Sequence, residues 1–98
     1  MGNPQGSFEN LCREFDDHFD KFYNDLSRND MYQAKYHLKE MVGKFYRQAK
    51  DVDQKHLRNR NENTIRNMYD RIQNCKAGFL REFGNQNYHY VSDLANYY

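Results

Sequence analysis

Tryptophan is absent from this 98-residue chain, cysteine occurs twice and proline once. No apolar run approaches the roughly 20 residues that span a bilayer, so insertion into a membrane is not expected. Cys12 and Cys75 are too few for a disulfide framework. With the first and third helices parallel, a rise of 1.5 Å per residue separates the two thiols in height by roughly 15 Å, beyond disulfide reach. A reducing, cytoplasmic setting is the expectation. Also missing are HExxH, CxxC, a phosphate-binding glycine loop with its lysine, GxSxG and GxGxxG. The chain is accordingly read as a non-enzyme without a cofactor.

What is present is a run of amphipathic helices. From Ser7 to Leu26, Phe8, Leu11, Cys12, Phe15, Phe19, Phe22, Tyr23 and Leu26 recur every three or four residues, along one stripe of a 3.6-residue helix. At roughly 25 cal/mol per Å² of apolar surface removed from water, four phenylalanines on one face require a partner surface. Residues 1–6 read as a flexible lead-in, with Ser7 as the helix cap. After Leu26, the polar break Ser27–Asp30 offers Asn29 or Asp30 as the next cap.

The second helix is expected over 31–56, burying Met31, Ala34, Leu38, Met41, Phe45, Ala49 and Val52, with Val42 on the flank and Gly43 on the outer half. Asparagines around 59–63 mark a break, with Asn59 and Glu62 at capping-box spacing and Asn61 as the alternative cap. One unbroken helix from 31 to 83 is the competing reading. The third helix, 61–83, uses Ile65, Met68, Tyr69, Ile72, Cys75, Phe79, Leu80 and Phe83, and Gly84 closes it. Residues 85–98 form a short fourth helix or a tail. The sum is one all-α domain over 1–98, a bundle of three main antiparallel helices (about 8–26, 31–56 and 61–83). It becomes a homodimer if the third stripe also serves a second copy.

Charge is unevenly distributed. Residues 1–30 carry three basic against seven acidic side chains, a net of −4, whereas residues 31–60 carry eight against three, a net of +5, and the remainder balances. The ordinary reading is that an acidic first helix lies beside a basic second one. Metal-ligand spacings occur at Glu14/His18, His37/Glu40 and Asp53/His56, but phenylalanines hold the inward positions of helix one. His37 is read as a flank residue, His56 as part of the turn, and no metal site is assigned.

Two binding readings remain. Nine tyrosines and seven phenylalanines exceed what three stripes bury. Tyr32, Tyr36, Tyr46, Tyr88, Tyr90 and Tyr98, with the acidic patch Glu9, Asp16, Asp17 and Asp20, are candidates for contact with a protein partner, including a second copy. Lys35, Lys39, Arg47, Lys50, Lys55, Arg58 and Arg60 are the candidates for the alternative, contact with nucleic acid, in which cations neutralise phosphates and tyrosines stack on bases.

Overall fold

The computed structural model describes residues 3–94. The chain runs up, down and up again. Helix α1 spans Pro4–Ser27. Helix α2 (Met31–Glu40) passes through a π-helical segment (Met41–Tyr46) directly into α3 (Arg47–His56). Helix α4 spans Glu62–Phe83, and a 3-10 turn (Asn85–Asn87) leads into the short α5 (Tyr88–Asp93). The bundle expected from the sequence is therefore the fold, including the short C-terminal helix.

The helix boundaries follow local chemistry. Helix α1 begins at Pro4, ahead of the expected Ser7 cap, because Asn3 caps it: Asn3 Oδ1 accepts from the Gln5 and Gly6 backbone N–H groups at 3.1 and 3.3 Å. Pro4, with no N–H to orphan, occupies the first helical position. Residues 4–6 are thus helical, not a lead-in. Asn29 takes a left-handed conformation (φ 56°) that ends α1, and Asp30 caps α2 by accepting from Gln33 N–H at 3.1 Å. The break between α3 and α4 is real. Arg58 and Asn59 are both left-handed, at φ 51° and 61°, so no single helix runs from 31 to 83. Gly84 closes α4 at φ 94°.

The core comprises Phe8, Phe15 and Phe22 of α1, Ala34 and Leu38 of α2, Met41, Val42, Phe45 and Tyr46 of the π segment, Ala49 of α3, and Met68, Ile72, Cys75 and Phe79 of α4, with Leu57, Val91 and Leu94 at its ends. Gly78 of α4 lies against the end of α1. A Cβ there would stand 3.3 Å from Leu26 Cδ1.

The π segment corrects the register expected for the second helix. A turn closed from residue i to i+5 holds one more residue than an α turn, and here 41, 42, 45 and 46 all face inward. Val42 is core, not flank. Tyr46, expected among the free tyrosines, is 4% exposed. Below the wide turn Asp53 takes the fully buried position and Val52 is only half-buried. Gly43 sits in the middle of the widened turn.

Candidate functional site

Among the described residues four histidine and aspartate side chains are buried: His18, Asp25, His37 and Asp53. They form two clusters, one at each end of the second helix.

Asp53 belongs to the α3–α4 turn. Its carboxylate accepts the Asn61 backbone N–H at 3.0 and 3.2 Å and the Asn61 side-chain amide at 3.1 Å. Its main-chain carbonyl accepts from Leu57 and Asn59 N–H at 3.1 and 3.0 Å. Asn61 also exchanges hydrogen bonds with Gln5 at the start of α1. Asn61, expected only as a cap, thus clasps three elements together.

The other cluster joins α1 to α2. His18 Nδ1 and His37 Nδ1 are 2.8 Å apart, so one nitrogen donates and the other accepts. The His18 ring stacks on Phe45, with centroids 5.1 Å apart and planes 28° apart. Tyr36 covers the pair edge-on, 6.1 Å from His18 and 5.0 Å from His37 between centroids. On the far side His37 Nε2 lies 3.7 Å from Asp25 Oδ2, while Asp25 Oδ1 accepts from Arg28 Nη2 at 2.8 Å. Asp25 Oδ2 is buried and makes no hydrogen bond among the described residues. Burial first, and the charge of His37 second, hold the His18 imidazole below its ordinary value. His37 is therefore interior, not a flank residue, because α1 places His18 opposite it. Sequence periodicity missed both: histidine and aspartate are not scored as apolar, although 15, 18, 22 and 25 share a face at helical spacing.

The predicted surface residues divide. Tyr32 is 78% exposed, Tyr88 60% and Tyr36 49%. Tyr90 is half-buried; its hydroxyl donates to the Lys35 carbonyl at 2.6 Å, fastening α5 beside α2. Tyr98 lies outside the described residues. Among the acids, Glu9, Asp16, Asp17 and Asp20 are all exposed on α1. Asp16 binds Arg71 at 2.7 Å, and Arg71 lies over the Phe15 and Phe19 rings. Asp17 binds Lys21 at 2.9 Å, which lowers its carboxyl below the usual range.

The basic set does not form one free stripe. Lys35 lies over the Tyr90 ring and Lys50 over Tyr46, each half-buried, and Lys55 is tied to Asp51 at 3.1 Å. Lys39, Arg47, Arg58 and Arg60 are exposed and hold no carboxylate among the described residues.

Two grooves open on the surface of the described residues. One open groove of about 410 Å³ runs between α3 and α4 past Tyr46, Lys50, Ile65, Arg66 and Tyr69. A second, of about 560 Å³, lies between Leu11 and the outer side of α3. Neither is lined by a serine, threonine, cysteine or histidine that could serve as a nucleophile. The thiols are poor candidates, since burial pushes Cys75 up to about 12 and Cys12 up to about 11. Among the described residues no three His, Cys, Asp or Glu side chains converge on a metal position, and no helix is long and apolar enough to cross a membrane.

The fold and these clusters define a small all-helical domain with a filled aromatic core. No family model matches the chain, nor does any curated protein or solved structure.

Proposed function

We propose that this domain is a non-enzymatic interaction or regulatory module, and that its contact face is the end of the bundle carrying Tyr32, Tyr36 and Tyr88. The observation that carries this reading is the exposure of those three tyrosines, with Met31 at 39%, while the phenylalanines of the main stripes are buried or half-buried. Tyr32 and Tyr36 stand one turn apart on α2, and the Tyr90 anchor brings α5, with Tyr88, to the same end. A tyrosine contributes wide apolar contact while its hydroxyl stays hydrogen-bonded, which suits a protein partner or a second copy. Asp20, exposed on α1, offers a negative charge for steering a basic partner.

Nucleic acid is the second reading, favoured by the exposed Lys39, Arg47, Arg58 and Arg60. Photo-cross-linkers at position 32 and at position 47, compared in the cells that make the protein, separate the two. Protein adducts from position 32, lost on Tyr36→Ser and Tyr88→Ser, support the first reading. RNA or DNA adducts confined to position 47, with affinity falling steeply as salt rises, replace it with the second.

A further inference from the structure

The His18–His37 pair has four ring nitrogens, and its geometry limits how many carry protons. Asp25 Oδ2, facing Nε2 of His37, assigns an N–H to that nitrogen. His37 Nδ1 is then the acceptor and His18 Nδ1 the donor across the 2.8 Å gap. One further proton is accommodated, because a single bare Nδ1 suffices to keep the hydrogen bond. A second is not. It would set two N–H groups nose to nose at 2.8 Å between two cationic rings, one of them stacked against Phe45.

We propose that the His18–His37 contact is a proton-operated latch between α1 and α2: closed while one facing nitrogen is bare, open when both rings are charged.

The surroundings supply both sides of such a device. From α1, Asp17 favours charge on His18 and Lys21 opposes it; Asp25, itself held by Arg28, faces His37. From α2, Glu40 favours charge on His18, and Tyr36 lies over both rings. The π segment presents the apolar Phe45, with Lys44 above that ring. Helix α4 directs its nearby cation, Arg71, to Asp16 and away from the pair. Once open, two charged imidazoles gain solvent and the carboxylates of the exposed Asp17 and the half-buried Glu40, while Tyr36 loses the surface it rests on. The Tyr36 face would be reshaped by acid, but the latch stands or falls independently of what that face binds.

The test is an imidazole-detected NMR titration of the intact chain from mildly alkaline to mildly acidic pH, with the exposed His56 and His89 as internal references. The latch requires the pair to titrate in two coupled steps separated by more than about one pH unit. In the second step the His18–His37 ring contact and the Tyr36 ring shift must be lost together. In His37→Gln, the coupling must vanish and His18 must titrate in one step. Independent single-step curves for the two rings, or ring contacts that persist after both are charged, overturn the proposal. Should His37→Gln not fold, the wild-type titration decides alone.

Discussion

Asp53 and Asp25 are both nearly inaccessible carboxylates, at 2% and 1% exposure, yet they are built to opposite specifications. Two donors of Asn61 make three contacts with Asp53, the backbone N–H reaching both oxygens and the side-chain amide one, so neither oxygen is left unpaired. Asp25 has one oxygen engaged by a largely exposed arginine and one oxygen orphaned, 3.7 Å from a histidine. A buried acceptor that is fully satisfied fixes geometry, whereas one left partly unsatisfied keeps its surroundings responsive to a proton. The turn at 57–61 is thus a permanent clasp and the α1–α2 contact a conditional one.

The hardest blow to this contrast is Asp53→Ala. It removes the acceptor of the half-buried Asn61 N–H and of one N–H of its side-chain amide, and at about 1–3 kcal/mol per stranded group a loss of about 3 kcal/mol is expected. Urea unfolding followed by circular dichroism measures it. A loss under about 1 kcal/mol would show the clasp to be ornamental.

The second test uses acid. Because the folded His18 is held below its unfolded value of 6.5, the stability linked to it is complete above pH 6.5 and is lost as pH falls through the depressed folded value. The urea midpoint should therefore fall on moving from pH 7.5 towards 5, and His18→Gln should remove that part of the slope. Asp53→Asn, by contrast, should lower the midpoint by a similar amount at both pH values. Equal acid slopes in wild type and His18→Gln would erase the distinction between the clusters.

A smaller effect, of opposite sign, probes what the clasp holds against. Arg58 is left-handed without being glycine, a conformation costing roughly 1 kcal/mol for an ordinary L-residue. Arg58→Gly should raise stability by up to about 0.5 kcal/mol in the same urea assay, because the relief of strain outweighs the added freedom of the unfolded chain. A destabilised Arg58→Gly would mean that the arginine side chain contributes more than its backbone costs.

The architecture was legible because phenylalanine spacing and turn residues agree. The stripe through Phe8, Phe15 and Phe22, the cap at Asp30 and the stop at Gly84 are all local signals, and each has its expected role. The π segment was not legible. A run such as Met41–Tyr46 fits an α-helical period as well as a π turn, and only packing against α1 and α4 decides between them. That one residue of extra winding buries Tyr46 and so removes a candidate contact residue. His18 and His37 were invisible as a pair for another reason: each is unremarkable on its own helix, and their meaning comes from facing each other across 19 residues of sequence. Charge asymmetry was legible only in outline. The structure spends Asp16 on Arg71 and Asp17 on Lys21, and it lays Lys35 and Lys50 over tyrosine rings.

The gentlest substitution gives the sharpest comparison. In Asp25→Asn the amide oxygen can still accept from Arg28, while the new N–H₂ faces His37 Nε2 and must find an acceptor there. His37 then shifts its proton to Nδ1, and His18 turns from donor to acceptor across the same 2.8 Å gap. One hydrogen-bond arrangement replaces another, so stability at pH 7.5 should change by less than about 1 kcal/mol. The imidazole nitrogen shifts of both rings should nonetheless exchange tautomer signatures. In Asp53→Asn the retained oxygen can keep both Asn61 donors, but the new N–H₂ replaces Oδ2 and sets donor against donor at 3.2 Å from the Asn61 backbone nitrogen, so it should cost clearly more than Asp25→Asn. Equal costs, with the histidine tautomers unchanged, would mean that Asp25 is as rigidly committed as Asp53, and the α1–α2 contact would then be a second clasp instead of a latch.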